Sequence, residues 1–237
     1  MPLKSSKIER RTFFGDPALD RDLPLVNKTF WAALIAHIEE DRNPPPRTLL
    51  DIGCHSGEFL WALSRRFSPA EVFGIEPLAA AREEALSRLS TVSNVRLLDV
   101  SEWNQIPPGT VDLATSHEVL YLEPDLPDFM KRLRQVLSPE GVAYIVLGCH
   151  AENPLWLEWK QPLIAAGNLV YDHRPFDIMA AASSAGLLPS VQPLRTSGWI
   201  TYDPLRADFS YPDARTMIDH HYRYKLLFRL QADDEAS

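Results

Sequence analysis

Apolar side chains set the first rhythm of the chain. Leu25, Phe30, Leu34, Ile35 and Ile38 recur every three to five positions and predict a helix reaching Glu40, which Asn43-Pro44-Pro45-Pro46 ends. Residues 1–23 before it are polar and irregular and predict an arm. The rhythm then shortens. The continuous apolar run TLLDIG predicts a buried strand, and residues 56–67 a helix with Phe59, Leu60, Leu63 and Phe67 turned inward. Residues 72–76 predict the next strand, and Pro77 suits the first turn of a helix running to about Leu89. Strands follow at 95–98 and 111–115, a helix at 124–137, a turn at Ser138-Pro139-Glu140-Gly141 and a strand at 142–147. This alternation predicts a mostly parallel, doubly wound α/β sheet with helices on both faces.

Beyond Gly148 the pattern loosens. Residues 149–173 carry Trp156, Trp159 and Tyr171 among prolines, a helix is predicted at 175–185 with Gly186 closing it, and a strand near 191–194. An aromatic, proline-bearing stretch leads to His221, and 222–230 predict a last strand.

Composition narrows the class. The 237 residues are 45% hydrophobic and 24% charged, as in ordinary globular proteins, and the length suits one domain. The net charge of −8 at pH 7 repels phosphate backbones and anionic membranes, so neither nucleic acid nor membrane is an expected partner. The basic run Lys131, Arg132 and Arg134 alternates with apolar residues at helical spacing and is expected on a solvated helix side. No apolar run is long enough to span a membrane and the start, MPLKSSKIERR, lacks a leader's apolar stretch, so a cytoplasmic location is expected. Cys54 and Cys149 have no metal-ligand spacing, and no metal is expected.

The strongest chemical signal is residues 49–57, LLDIGCHSG, where a buried strand ends in an acid and passes through glycines into a helix. Glycines allow positive φ and close ligand approach, and the helix start offers free N–H groups. Glu76 ends the next strand, where a carboxylate can accept from two ribose hydroxyls. A dinucleotide site needs G-x-G-x-x-G, and the corresponding positions here are Gly53, His55 and Glu58.

These landmarks, with VFGIEP, Asp99 in VRLLDV, VDLATSHEVLYLEP and LSPEGVAYIVLG, resemble the Rossmann-like S-adenosylmethionine-dependent methyltransferase family. The resemblance runs from about Arg47 to Gly148 and more weakly beyond. It implies a seven-stranded sheet whose last strand is antiparallel. It also divides the chain into an arm and helix (1–46), a cofactor-binding core (47–148), substrate-side insertions (149–221) and a last strand with tail (222–237). With S-adenosyl-L-methionine as cofactor, it implies Asp51, Gly53 and Gly57 along the methionine and ribose. Glu76 would hold the ribose hydroxyls, with Ile75 and Leu78 near the adenine, Asp99 facing its amino group and Val100 beside the ring. Ser116 and His117 would open onto the sulfonium and acceptor. The family usually has glycine where this chain has His55, whose side chain would touch the cofactor's carboxylate, crowd it or swing outward.

Methyl transfer asks mainly for alignment, and a base only for hydroxyl nucleophiles. His117 and His150, each following a strand end, are the catalytic candidates, ahead of Glu118, His173, His220 and His221. Adjacent His220 and His221 diverge on a helix and are expected at a solvated end. Trp156, Trp159, Tyr171, Trp199 and Tyr202 are the candidates for an acceptor pocket, with Phe13-Phe14 as an arm anchor; all serve equally well as lid core. Asn153-Pro154-Leu155-Trp156 departs from the NPP-aromatic signature of amino-group methyltransferases and follows the wrong strand. The expected function is O- or N-methylation of a small molecule. The alternatives are a non-catalytic partner or regulatory subunit, which His55 favours, and different chemistry on the same cofactor.

Overall fold

The structure, a computed structural model, describes residues 12–14, 16–42, 44–196, 198–200 and 211–232. Helix α1 (Pro17–Asp41) precedes β1 (Thr48–Ile52), α2 (Glu58–Phe67), β2 (Glu71–Ile75), α3 (Ala79–Arg88) and β3 (Val95–Leu98). Then come β4 (Val111–His117), α4 (Leu126–Val136), β5 (Leu137–Leu147), α5 (Trp156–Ala165), α6 (Pro175–Ser184), β6 (Leu187–Pro193), α7 (Ala214–Asp219) and β7 (Leu226–Ala232). The seven strands lie in the order β3-β2-β1-β4-β5-β7-β6. The first five run parallel, and β7 runs antiparallel to both β5 and β6. The expected seven-stranded, mostly parallel sheet with an antiparallel last strand is the observed one.

The strands are continuous apolar runs because alternate residues feed two cores. Leu49, Val72, Leu113 and Tyr144 pack with α1 and α2 through Phe30, Leu34, Phe59 and Leu63. Their neighbours Leu50, Phe73, Ala114 and Ile145 pack with α4, α5 and α6 through Phe129, Leu133, Trp159 and Ile178. A sheet covered on both faces leaves no polar side to alternate.

Four boundaries depart from the sequence reading. Helix α1 begins at Pro17 rather than near Leu25, because Asp16 caps it, accepting from Ala18 N at 2.8 Å, and Pro17 occupies its first turn. Helix α5 was hidden by Pro162, which interrupts its periodicity. Strand β6 starts earlier than residue 191 despite Pro189 and Pro193, which an edge strand paired only on one side tolerates. Residues 220–224 form a π turn, so β7 begins at Leu226 rather than at 222. The expected 138–141 turn is an excursion between the pairings Val111 with Leu137 and Leu113 with Val142.

One clamp gathers the entry end of the sheet. Asp112 Oδ2 accepts from Arg47 N and Thr48 N at 2.9 and 3.1 Å, and its Oδ1 accepts from Ser138 Oγ at 3.1 Å. The start of β1 and the β5 excursion therefore depend on one carboxylate of β4. Asp112→Ala is expected to cost about 1–3 kcal/mol. Urea unfolding checks this: the midpoint falls with an unchanged slope, and an unchanged midpoint would mean the clamp is idle.

Candidate active site

The chain order reverses between β1 and β4, opening a crevice outside the carboxyl ends of the strands, where open α/β sheets bind ligands. A cavity of about 960 Å³ lies there, at the upper end of the range for small-molecule sites.

Its near end is built by the β1–α2 turn. Gly53 (φ 76°), His55 (φ 47°) and Gly57 (φ 82°) all take the left-handed conformation, so the chain reverses sharply after Ile52. A Cβ on Gly53 would come within 2.3 Å of Val119 Cγ2, so only glycine lets the β1 and β4 ends close up. His55 tolerates its φ, and its Nδ1 lies 3.1 Å from Ser56 Oγ, which donates to Glu58 Oε2 at 2.7 Å. The Ser56 proton is thus committed to Glu58, so Nδ1–H donates to Ser56. Gly57 does not line the cavity. A Cβ there would meet Ala85 Cβ at 2.9 Å, so this glycine serves the close packing of α2 on α3.

Glu76 sits beyond β2 with both oxygens anchored: His55 N donates to Oε2 at 3.0 Å and Leu78 N to Oε1 at 2.9 Å. Burial raises its pKa, and the two backbone bonds oppose that rise. Asp51, also buried, accepts from Thr115 Oγ1 at 2.8 Å, yet burial brings its carboxyl up to about 7, with Glu76's charge adding to the rise. Asp99 is different. Bonds from Ser101 N and Oγ at 2.9 and 2.7 Å hold its carboxyl below the ordinary range, and Arg82 lies 3.3 Å from Oδ2. Val100 lines the cavity beside it.

The far end centres on a buried ion pair. Glu118, the residue after β4, takes a left-handed φ of 56° and accepts from Gly148 N and Cys149 N at 2.7 and 3.1 Å and from Lys225 Nζ. Burial alone would raise the Glu118 carboxyl, but Lys225 with these other partners brings it to about 2. Lys225 also lies 4.2 Å from the centre of the Phe30 ring. Around the pair, burial and then the Lys225 charge push His117 down to about 3 and His221 to about 4, and His220 well below its ordinary value.

The sequence candidates separate clearly. Asp51, Gly53, His55, Glu76, Asp99, Val100, His117 and Trp159 line the cavity, as do Phe13 and Phe14. Ser116 does not: strand alternation puts it on the opposite face from His117, fully buried between Ile52 and Ile145. His150 is buried away from the cavity, its Nε2–H donating to Tyr224 O at 2.8 Å, and so holds the π turn rather than facing a ligand. Trp156 is core, packed on Tyr121 with its Nε1 donating to Asp172 at 2.7 Å. Tyr171 stacks on His173 outside the cavity, and Trp199 is 96% exposed. Tyr202 lies outside the described residues.

Other lining residues were expected elsewhere or were not singled out. His220, expected at a solvated helix end, is buried against Trp159, because the π turn brings both it and His221 inward. Arg132, expected on the solvated side of α4, lies 5.0 Å from the Trp103 ring at the cavity wall. Phe30, Trp31 and Lys225 also line it; Phe30 was legible only as helix core, and Trp31 and the lysine carried no signal.

The fold and the cleft define a doubly wound α/β protein with a large cavity at its topological switch point. The model of the methyltransferase domain matches residues 24–187, more than half of the chain, and the chain belongs to that family, the class I S-adenosylmethionine-dependent methyltransferases. It is 29% identical over 134 residues to trans-aconitate 2-methyltransferase of Methylobacterium radiotolerans, covering 52% of this chain and 50% of that one. It is 34% identical over 113 residues to tRNA U34 carboxymethyltransferase of Pseudoalteromonas translucida, covering 47% and 34%. The chain therefore spans about half the length, or less, of these curated relatives. In fold it resembles a methyltransferase solved with the Haloferax volcanii Trm112 activator (TM-score 0.73, 18% identity, 94% and 98% covered). It also resembles geranyl diphosphate C-methyltransferase from Streptomyces coelicolor, solved with S-adenosyl-L-homocysteine (TM-score 0.66, 18% identity, 94% and 88% covered). Among the described residues no helix is long and apolar enough to cross a membrane.

His117 offers a direct check on the electrostatics. Its folded pKa of about 3 lies below the unfolded value, so between pH 3 and 6.5 the unfolded chain binds the extra proton. The stability it contributes is full above 6.5 and is lost as pH falls through that window. His117 is expected to show no imidazole titration above pH 5 by NMR, and His117→Gln to flatten the pH dependence of stability by about one proton there. A titration near pH 6.5 would contradict the buried placement.

Proposed function

We propose that the chain transfers the methyl group of S-adenosyl-L-methionine to an oxygen or nitrogen of a small-molecule acceptor. The observation that carries this reading is Glu76. Each of its oxygens holds one backbone N–H and keeps a lone pair, which suits the vicinal diol of a ribose. The remaining donor set is compatible: Ile75, Leu78 and Val100 would flank the adenine, Asp99 would receive its amino group, and Asp51 and Gly53 would lie along the methionine part. When bound, the cofactor supplies a methyl group on a sulfonium, for which alignment with the acceptor provides much of the rate.

The protein's share of the work is positioning. A general base works best with a pKa near the working pH, and His117 at about 3 is far from it. His117 therefore orients the acceptor as a neutral hydrogen-bonding group. Glu118 is saturated by Lys225 and two backbone N–H groups and takes no proton either. The net charge of −8 favours a small acceptor over nucleic acid, in line with the relatives named for trans-aconitate and unlike the one named for tRNA.

S-adenosyl-L-homocysteine is expected to raise the melting temperature by mass action. Glu76→Ala should weaken its binding about tenfold to hundredfold, the loss of an ionised acceptor. Calorimetry measures both, and wild-type affinity in the variant would remove the ribose assignment.

Asp51 makes binding depend on pH. In the free protein it is half protonated near pH 7, and the cofactor's cationic groups favour its ionised form. Affinity for S-adenosyl-L-methionine should then rise with pH through about 7, and Asp51→Asn should lose that part of the dependence. Identical pH profiles for the two proteins would dismiss the assignment.

A further inference from the structure

Past Gly53 and Val119 the cavity is walled by rings. Phe30 and Trp31 come from α1, Trp159 from α5, and Tyr211 and His220 from the segment leading into β7. Trp159 lies 5.6 Å from Tyr211 and 4.7 Å from His220, Phe30 lies 6.3 Å from both His117 and His220, and Trp31 lies 6.3 Å from His117. Two buried polar atoms on this wall, Trp31 Nε1 and His117 Nε2, have no hydrogen-bond partner among the described residues.

Charge on the wall is already spoken for. Among the described residues the lysines and arginines that line the cavity are Arg82, Arg132 and Lys225. Arg82 faces Asp99 at 3.3 Å, Arg132 faces Asp128 and Glu123 at 2.9 and 3.6 Å, and Lys225 is paired with Glu118. Asp51, Glu58 and Glu76 line the cavity in addition, so carboxyl groups outnumber these cations. An anionic acceptor in the chamber would have to draw Lys225 away and leave Glu118 buried without its counter-ion, a strongly unfavourable exchange.

The geometry points to an uncharged, ring-bearing acceptor seated among Phe30, Trp31, Trp159 and Tyr211, its polar group read by Trp31 Nε1 and His117 Nε2, and to the rejection of carboxylates. This inference rests on the reading of the cavity as a joint cofactor and acceptor site. It separates the chain from the relatives named for trans-aconitate, since trans-aconitate is a tricarboxylic acid.

The test uses two probes of one shape, 4-hydroxybenzamide and 4-hydroxybenzoate, with trans-aconitate beside them. Calorimetry at pH 7.5 follows each on the full chain, with and without saturating S-adenosyl-L-homocysteine. The amide is expected to bind at least about tenfold more tightly than the benzoate, a difference of about 1.4 kcal/mol, with trans-aconitate weaker still. Trp159→Ala should weaken the amide about tenfold or more and leave S-adenosyl-L-homocysteine affinity unchanged. Glu118→Gln, which releases Lys225, should move the ratio toward the benzoate. Should that variant fail to fold, the wild-type ratio and Trp159→Ala decide. Equal or tighter binding of the benzoate or trans-aconitate, or no binding of either ring probe, overturns the inference even where S-adenosyl-L-homocysteine binds normally. Absence of S-adenosyl-L-homocysteine binding instead overturns the cofactor reading, and the probe ratio on the free protein then judges the chamber alone.

Discussion

The ion pair between Glu118 and Lys225 is the constraint on which the far half of the site depends. It joins the end of β4 to the start of β7, and the same carboxylate collects the backbone N–H groups of Gly148 and Cys149 just past β5. Three strand ends are thereby set around one charge. Gly148 must be glycine for this to close, because a Cβ there would lie 2.8 Å from His220 Cε1 and 2.9 Å from Glu118 Oε1. A buried pair of this kind adds little net stability over an apolar substitute, whereas removing one partner costs about 3–5 kcal/mol. Its value here is geometric. The left-handed backbone at Glu118, unfavourable for a residue with a Cβ, is held by those three partners.

The pair also sets the protonation of its neighbours. Burial disfavours any charged imidazole near it, and the Lys225 cation adds to that cost for His117, His220 and His221. Three histidines at one catalytic edge would suggest acid-base chemistry from sequence. In place they are neutral polar rings: His117 and His220 stand with Phe30, Trp159 and Tyr211 on the cavity wall, and His221 stacks on Phe30 behind it. Methyl transfer from a sulfonium tolerates such a site because its electrophile is supplied ready-made and the demand on the protein is orientation.

Much of the cavity's near end was legible because its signals are local. A run such as LLDIG, glycines at turns of positive φ, and an acid one strand later all lie within some thirty residues, and each has its own conformational cause. The far end is assembled from distant parts of the chain. Glu118 and Lys225 are 107 positions apart, and Phe30 reaches His221 from the other end of the chain. No periodicity encodes such meetings. Prolines misled in both directions: Pro162 hid α5 and Pro189 hid the start of β6, whereas Asp16-Pro17 was a true helix start passed over because the surrounding residues are polar. Ser116 and His117 show the limit most sharply. Adjacent in sequence, they fall on opposite faces of β4, and only the face determines which one meets the cavity.

The two halves answer to opposite electrostatic demands within one cavity. At the near end Asp51 and Glu76 are buried together, and each carries a raised pKa, so the free protein stores unfavourable charge there. A folded pKa above the unfolded one means that stability falls as pH rises from about 4 toward 7, the reverse of the histidine contribution at the far end. A cationic ligand would remove that cost on binding, so the free energy lost in the free protein would return as affinity for a sulfonium and an ammonium. At the far end the charges cancel within the protein itself, leaving rings and a few hydrogen-bonding atoms. Under the proposed function a charged cofactor would be drawn to this acidic floor, and the acceptor would meet a neutral wall. The floor and the wall are set by different elements, the β1–α2 turn on one side and the β4, α5 and β7 ends on the other, and they meet where Gly53 packs against Val119.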